Sequence, residues 1–263
     1  MTDKSDLRYV AHLDMLGMRE LALRDPDGAW RALSGLSQAK DERFRLSFEI
    51  VATGEVIENR VTTFTFSDTV VAFSIGDSDA DLRAIVILVA EFFCRAMYYR
   101  IPLRGGIAHG RFMFNFDRNL FAGPALVHAY LLSEQAQWLG IRVDNHIAVH
   151  AKQIPLEASG GYPSIVPWSV PVASGSIEQS HVVDWVVAHR TNFLVKPPFS
   201  APQFYEPFAG FFGPFDSLPD AVRLKYENTV AFINDRFANC SSNRLQRAGQ
   251  GQSSKVQRSA RRR

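Results

Sequence analysis

The stretch Tyr9–Met18 constrains the fold more than any other part of the sequence, because an apolar run leads directly to a carboxylate, a glycine and a helix pattern. Hydrophobicity is nearly continuous over residues 7–13, which predicts a strand buried on both faces. Asp14 stands at the end of this strand, and Gly17 provides the turn into a short helix. The sheet would fix the direction of such a carboxylate, and backbone N–H groups of the turn can face an anion. This end of the strand is therefore a candidate site for a metal ion and an anion.

A second aspartate, Asp68, separates two β-type runs, Arg60–Phe66 and Thr69–Ser74. Both runs are rich in Thr, Val and Phe, which favours strands. The turn between them, Ser67–Asp68, lacks the favoured glycine, but Asp tolerates turn geometry better than most residues. We therefore predict a hairpin that turns at Asp68.

The remaining segments alternate between helical and strand patterns. Helices are predicted where apolar residues recur with the 3.6-residue period, and strands where β-branched and aromatic residues cluster. In chain order these are a helix to about Arg24, a helix to about Lys40, a segment Phe44–Val51 that is a strand or an edge, a helix from the Ser78–Asp81 capping box to about Tyr99, a strand over Pro102–Phe114, a helix from Pro124 to about Trp138, a strand over Ile141–Val149, irregular strands over 155–190 with turns at Gly160–Gly161 and Gly175, an ordered surface loop over 195–219, and a last helix through Phe237. The order indicates an α+β fold with a ferredoxin-like βαββαβ core and additional C-terminal strands and helix.

This topology predicts that the two aspartates meet. In a βαββαβ core the first and third strands are central antiparallel neighbours, so Asp14 at the end of one lies beside Asp68 at the start of the other. Two close carboxylates repel unless a cation lies between them, and oxygen ligands suit Mg²⁺ or Mn²⁺. Such ions can activate a hydroxyl and neutralise charge on phosphate oxygens. Arg104, at the start of the fourth strand, can add a positive charge for a triphosphate. We therefore predict a metal-dependent site for a nucleoside triphosphate.

The charge of the chain is unevenly distributed. From Ser241 onward there are seven basic residues and no acidic one, which leaves 22 basic and 27 acidic residues before it. An acidic body argues against a broad nucleic-acid interface on the folded part. We predict one domain over residues 1–240 with its core at about 7–150, followed by a basic, disordered tail over 241–263.

Membrane and disulfide classes are also disfavoured. No stretch is long and apolar enough to span a bilayer, and the first residues do not have the pattern of a secretory signal. The two cysteines, Cys94 and Cys240, make neither a disulfide framework nor a zinc site. We expect a cytoplasmic protein.

Four motifs carry a family resemblance. In chain order they are Leu13-Asp14-Met15-Leu16-Gly17-Met18, Phe66-Ser67-Asp68-Thr69-Val70-Val71, Arg104-Gly105-Gly106-Ile107-Ala108-His109-Gly110 and Gly123-Pro124-Ala125-Leu126-Val127-His128-Ala129. On these elements they resemble the motifs of class III nucleotide cyclases, and the chain is most similar to the compact bacterial pyrimidine cyclases of the Pycsar anti-phage systems. The resemblance covers about residues 7–150. It implies a homodimer with sites at the subunit interface.

The resemblance also implies roles for individual residues. Asp14 and Asp68 would bind two Mn²⁺ or Mg²⁺ ions in each active site, and the backbone carbonyl of Met15 would complete one metal shell. The β- and γ-phosphates would contact Arg104 and the turn after the first strand, through the backbone N–H groups of Leu16, Gly17 and Met18. The reaction would be in-line attack of the ribose 3′-hydroxyl on the α-phosphorus, which releases pyrophosphate and a 3′,5′-cyclic nucleotide.

The departures from the family pattern bear on the base. Phe64 and Leu120 stand where adenylate cyclases have a Lys and an Asp that read adenine, which disfavours adenine and suits a smaller base. Val127 and Leu131 stand near the usual ribose and transition-state Asn and Arg. Arg60 shares a strand face with Phe64 by the period of two and is a candidate for contacts with the base or phosphates.

These observations leave several hypotheses. The first is a uridylate cyclase that makes cyclic UMP as a defence signal, with UTP preferred on overall resemblance. The alternatives are a cytidylate cyclase that makes cyclic CMP, or a catalytically silent cyclase-like domain that binds a nucleotide or a partner. A third class is a nucleic-acid-binding protein that acts through its basic tail.

Overall fold

One mixed sheet organises the chain. The structure is a computed structural model that describes residues 6–50, 54–154, 156–158, 162–163, 165–186 and 198–239. Its strands are β1 (Leu7–Met15), β2 (Phe48–Ile50), β3 (Glu55–Ile57), β4 (Val61–Phe66), β5 (Thr69–Ser74), β6 (Leu103–Arg111), β7 (Met113–Asn115), β8 (Leu120–Ala122), β9 (Ile141–Val143), β10 (Glu157–Ala158), β11 (Tyr162–Pro163), β12 (Ile165–Pro171) and β13 (Ile177–Val183). Seven of these form the main sheet, in the order β12-β13-β9-β6-β1-β5-β4.

The strand order confirms the predicted α+β fold. Four neighbouring strands form a βαββαβ unit, in which β1, β4, β5 and β6 are the first to fourth strands in chain order. In the sheet they lie side by side in the order fourth, first, third, second. Strand β1 is antiparallel to both β5 and β6. Strand β9 extends the sheet parallel to β6, and the β12–β13 hairpin closes that edge through β13. The other strands form three separate two-stranded sheets.

The described helices include five that the sequence predicted, with corrected ends, and three that it did not predict. They are α1 (Met18–Arg24), α2 (Pro26–Arg43), α3 (Asp79–Tyr98), α4 (Pro124–Gln135), α5 (Asn145–Ala151), two short helices Ala201–Tyr205 and Ala209–Phe212, and a last described helix over residues 220–239. The predicted capping box is present at the start of α3, where the Ser78 hydroxyl and the Asp81 carboxylate each accept a hydrogen bond from the other residue's backbone N–H. Pro124 begins α4 in the first turn, where a backbone N–H has no partner within the helix, so proline costs no helical hydrogen bond.

The two faces of the sheet are covered differently. Helix α3 packs on the first face, and α2 packs against α3. The side chains of β1 that point to this face belong to the main core; they are Tyr9, Ala11 and Leu13. The alternate residues Val10 and His12 point to the second face, where α4 packs over β6 and β1. Helix α4 leaves part of β4 and β5 uncovered on this face, and a cavity opens there.

Three predictions need correction. The segment Ile141–Val149 is not one strand, because Asp144 accepts a hydrogen bond from the backbone of His146 and caps α5. The strand predicted over Pro102–Phe114 breaks after β6, and a short hairpin of β7 and β8 follows. The part of the predicted loop 195–219 that the structure describes contains short helices rather than only irregular chain, and its aromatic residues Phe204, Tyr205 and Phe208 are buried.

Some predictions lie outside the described residues. These are the turn at Gly160–Gly161, Cys240 and the tail over 241–263. The turn at Gly175 is confirmed, with a left-handed φ of 82°. Among the described residues, no helix combines the length and apolar character needed to cross a membrane.

Candidate active site

The sheet brings the backbones of Asp14 and Asp68 together. Asp14 pairs with Thr69 across the β1–β5 ladder, and the backbone N–H of Met15 donates to the carbonyl oxygen of Asp68 at 3.1 Å. The turn between β4 and β5 has two residues, and Ser67 adopts a φ of 54° there. The hairpin therefore delivers Asp68 to the end of β1, as the topology predicted.

The two carboxylates also affect each other electrostatically. Burial raises the pKa of the Asp14 carboxyl above its ordinary value, and the charge of Asp68 contributes to the increase. The guanidinium of Arg104 acts in the opposite direction. A cation placed beside Asp14 favours the ionised form of this carboxyl.

Arg104 is the cation that contacts Asp14. Its Nε and Nη2 atoms both donate to Oδ2 of Asp14, at 3.2 and 3.1 Å. The same guanidinium forms an ion pair with the Glu134 carboxylate and donates from Nη1 to the Glu134 carbonyl oxygen at 3.2 Å. Strand pairing sets this geometry, because Asp14 and Arg104 are direct partners in the β1–β6 ladder. The end of α4 supplies the second contact.

Lys225 is a further cation near Asp14 that the sequence analysis missed. It lies on helix 220–239, which is fixed against the segment after α4: Asn228 Nδ2 donates to the Gln137 carbonyl at 2.7 Å, and the Leu139 N–H donates to Thr229 Oγ1 at 2.8 Å. Burial lowers the pKa of Lys225, and Arg104 adds to this, while Asp14 and Glu20 oppose it. Its ammonium makes no hydrogen bond or ion pair with a described residue.

The turn after β1 offers two backbone amides rather than the three implied by the resemblance. The N–H of Leu16 donates to the Pro102 carbonyl at 2.9 Å, so this donor is already used. Gly17 has a left-handed φ of 79° and precedes α1, and a side chain there would press on the ring of Phe212. The amides of Gly17 and Met18 make no hydrogen bond that the structure describes.

The residues present fit a divalent cation that a substrate helps to hold. Within the described ranges, no group of three or more His, Cys, Asp and Glu side chains forms a metal cage. Mg²⁺ and Mn²⁺ are commonly bound through one or two carboxylates together with substrate phosphates. Asp14 and Asp68 provide that number of carboxylates at one end of the sheet.

Phe64 belongs to an aromatic cavity on the second face of the sheet. The cavity has a volume of about 910 Å³. The ring of Phe64 stacks on that of Phe121, with centroids 3.7 Å apart and planes at 15°. Thr69, the strand partner of Asp14, lines the same cavity, as does His12. The cavity therefore reaches the strand partner of Asp14.

Arg60 is not brought to this site. It precedes β4, whereas Asp68 follows that strand, so the length of the strand, about 20 Å, separates the two. Its guanidinium contacts the buried carboxylate of Asp81 at 3.2 Å. The candidate role of Arg60 in contacts with a base or phosphate finds no support in this chain.

His12 is the second residue that the sequence analysis missed. It is 8% exposed, and its ring meets that of Tyr130 edge to face at 5.3 Å. Nδ1 of His12 lies 3.0 Å from the hydroxyl of Ser133 on α4. Burial, aided by Arg104, lowers the pKa of His12 to about 4. A histidine in an apolar run gave no signal in the sequence, because its partner lies far along the chain.

Comparison with known proteins gives a structural similarity only. No protein-family model matches the chain, and no curated protein is significantly similar in sequence. Its fold is similar to the catalytic core of a rhodopsin-guanylyl cyclase with converted specificity in complex with ATPαS, at 13% identity and a TM-score of 0.46 over 67% of this chain and 94% of that one. It is also similar to the adenylyl cyclase CyaB from P. aeruginosa, at 15% identity and a TM-score of 0.43 over 68% and 94%.

A third similarity is to a bacterial light-regulated adenylyl cyclase, at 11% identity and a TM-score of 0.41 over 78% of this chain and 57% of that one. At these identities and TM-scores the similarities assign no activity, substrate or metal to this chain.

Proposed function

We propose that this protein is a pyrimidine nucleotide cyclase that converts UTP to 3′,5′-cyclic UMP and pyrophosphate. The observation that carries the proposal is the meeting of Asp14 and Asp68 at one end of the sheet, with the Arg104 guanidinium on Asp14. The arrangement suits a triphosphate with divalent cations, since it combines carboxylates for the cations with a guanidinium for phosphate oxygens.

In the proposed reaction the ribose 3′-oxygen forms a bond to the α-phosphorus, and the bond from that phosphorus to the β-phosphate oxygen breaks. The hydroxyl proton leaves to solvent, and pyrophosphate leaves with the bridging oxygen. Asp14 and Asp68 would hold Mn²⁺ or Mg²⁺, with the Met15 carbonyl as a further ligand. When bound, these ions lower the pKa of the hydroxyl and neutralise phosphate charge.

The chain's own cations complete the proposed phosphate site. Arg104 exchanges Asp14 for a phosphate oxygen, and Glu134 keeps the guanidinium in place during the exchange. Lys225 adds a second positive charge from the neighbouring helix. The free amides of Gly17 and Met18 supply neutral donors. Positioning and electrostatics would account for most of the rate.

Homodimer formation is part of the proposal, supported by exposed apolar side chains around the aromatic cavity. Phe66 is 79% exposed and Leu120 is 58% exposed, and Val127, Tyr130 and Leu131 on α4 are also largely exposed. Clusters of this kind are typical of association surfaces. The defence role rests on the sequence resemblance, and its test is phage challenge of cells that express the wild-type or Asp68→Asn protein.

The test is incubation of the purified full chain with ATP, GTP, CTP and UTP and Mn²⁺, with products identified by mass. We expect cyclic UMP from the wild type and none from Asp14→Asn or Asp68→Asn. Exclusive formation of cyclic CMP would instead identify a cytidylate cyclase. A folded wild type that forms no cyclic product would favour the silent nucleotide-binding domain. Two observations support that alternative. Val127 and Leu131 are apolar where the resemblance implies an Asn and an Arg, and the Arg104 guanidinium is already bound to Asp14.

A further inference from the structure

The aromatic cavity on the second face combines stacking surfaces with few polar groups. Its walls include Phe64, Phe116, Phe121 and Tyr130. Flat aromatic side chains bind nucleobases by stacking, and this attraction does not depend on which base is present. Discrimination between bases must therefore come from the few polar atoms that face the cavity.

Hydrogen-bond counting fixes the role of His12 among these atoms. The hydroxyl of Ser133 has one proton, and its shorter contact, 2.8 Å, is to the carbonyl oxygen of Tyr130, which can only accept. Toward His12 Nδ1, at 3.0 Å, the same hydroxyl must therefore accept. The proton of the imidazole is thus inferred to lie on Nδ1.

In the neutral imidazole the other ring nitrogen is then left as an acceptor. Nε2 of His12 has no hydrogen-bond partner among the described residues, and the ring lines the cavity. The tautomer is held from α4, because Ser133 is fully buried and its hydroxyl is oriented by the Tyr130 carbonyl. A ligand that excludes water from this part of the cavity needs to bring an N–H or O–H group to this nitrogen, since an acceptor left unpaired and out of contact with water is costly.

His12 also lies at a suitable distance from the proposed phosphate site. It precedes Asp14 by two residues on the same strand face, which corresponds to about 7 Å. Gly106, the strand partner of His12, leaves room for α4 to approach and brings Ser133 to the ring. A nucleotide spans a distance of this order between its phosphates and the donor edge of its base, across the sugar and part of the base ring.

We infer that Nε2 of His12 accepts a hydrogen bond from an N–H group on the edge of a pyrimidine base in the aromatic cavity, and that His12 thereby makes binding depend on an N–H donor at that edge of the base. The inference rests on the proposed function, because it takes the ligand to be a nucleoside triphosphate. Uracil offers its N3–H to such an acceptor, and cytosine offers its exocyclic amino group. A base edge that carries only acceptors is excluded.

The test uses ligands that bind but cannot cyclise. Full-length protein is titrated calorimetrically, in Mn²⁺, with 3′-deoxy-UTP and with its N3-methyl derivative. Loss of the N3–H should weaken wild-type binding about 10- to 100-fold, the factor for an acceptor left unpaired. Methylation also adds bulk, and His12→Phe measures that effect because it keeps a ring of similar shape without the acceptor. In His12→Phe the two ligands should bind with nearly equal affinity.

Two further variants separate specificity from folding. His12→Gln places an amide oxygen near the position of Nε2 and should restore part of the preference for the unmethylated ligand. His128→Phe makes the same substitution on an exposed part of α4, away from the aromatic cavity, and should leave the preference unchanged. Nitrogen NMR of the wild type, which needs no variant, should show a deprotonated Nε2 whose signal shifts when 3′-deoxy-UTP binds.

The outcomes separate this inference from the proposed function. Equal wild-type affinity for the methylated and unmethylated ligands overturns the inference, even if UTP is cyclised. A protein that discriminates between the ligands but forms no cyclic product supports the inference and refutes the cyclase. If CTP is the substrate, 3′-deoxy-CTP and its N4,N4-dimethyl derivative replace the uracil pair: a 10- to 100-fold loss supports cytosine as the donor, and no loss overturns the inference.

Discussion

Gly106 offers the sharpest test of how α4 meets the sheet. It lies on β6 beneath the helix, and a Cβ atom there would overlap the Ala129 carbonyl oxygen and lie 2.6 Å from Leu132 Cβ. Ordinary contact begins at 3.4 Å, so Gly106→Ala requires α4 to move away by at least about 0.8 Å. The main obstruction is backbone, which cannot rotate aside as a side chain can.

The expected cost follows from this geometry. Overpacking a core costs about 1–3 kcal/mol, and a backbone obstruction places Gly106→Ala at the upper end, about 3 kcal/mol. For a chain of this size the midpoint of thermal unfolding should fall by about 6–12 °C. Urea unfolding followed by circular dichroism measures the free energy. Gly210→Ala is the matched control, because its Cβ would meet nothing within 4 Å, and it should be neutral or stabilising by up to about 1 kcal/mol.

The same substitution should also affect the site. Helix α4 carries Ser133 and Glu134, which hold His12 and Arg104, so a displaced helix loosens both contacts. Gly106→Ala protein that remains folded should therefore lose base discrimination and triphosphate affinity together. If the variant unfolds at the same urea concentration as the wild type, α4 does not pack on β6 as closely as described, and the reasoning fails.

Three other predictions test the electrostatics. Lys225→Met should weaken binding of 3′-deoxy-UTP about tenfold in calorimetry, because it removes a partly buried cation near Asp14. Between pH 6.5 and 4 the wild type should lose on the order of 3 kcal/mol of stability relative to His12→Phe. The reason is that His12 in the unfolded chain becomes protonated in this range, whereas folded His12, with a pKa of about 4, stays largely neutral. Urea unfolding across this pH range measures the difference. Arg236→Met should cost about 3 kcal/mol in urea unfolding, because Arg236 pairs with the buried carboxylate of Asp184 at 2.8 Å, whereas Arg223→Met at an exposed pair should cost less than about 1 kcal/mol.

The sequence could predict those parts of the fold that connectivity determines. The meeting of Asp14 and Asp68 required only the order of the elements, because a βαββαβ unit has few arrangements. The segment Ile141–Val149 was misassigned because a short apolar strand and a short apolar helix have similar composition. The local signal that distinguishes them is Asp144 followed by Asn145, a helix cap within the apolar run.

The site was harder to predict, because its polar contacts join distant segments. His12 and Ser133 are 121 positions apart, and no local pattern marks either of them. Lys225 reaches the site only through the packing of helix 220–239 against the segment after α4. Periodicity placed Arg60 on the face of Phe64, but the buried carboxylate of Asp81 holds its side chain elsewhere.

The charges around Asp14 indicate why the site would bind a cation and a triphosphate together. A cation alone would compete with Arg104 for Asp14, and a displaced guanidinium would keep Glu134 as its partner. A triphosphate alone meets the charges of Asp14 and Asp68. With both bound, Arg104 would exchange the carboxylate for phosphate oxygens and the carboxylates would gain a cation, so that each charge would keep a partner. If the proposed function is correct, the free energy of binding the pair should therefore exceed the sum for the separate ions, which is coupling in the thermodynamic sense.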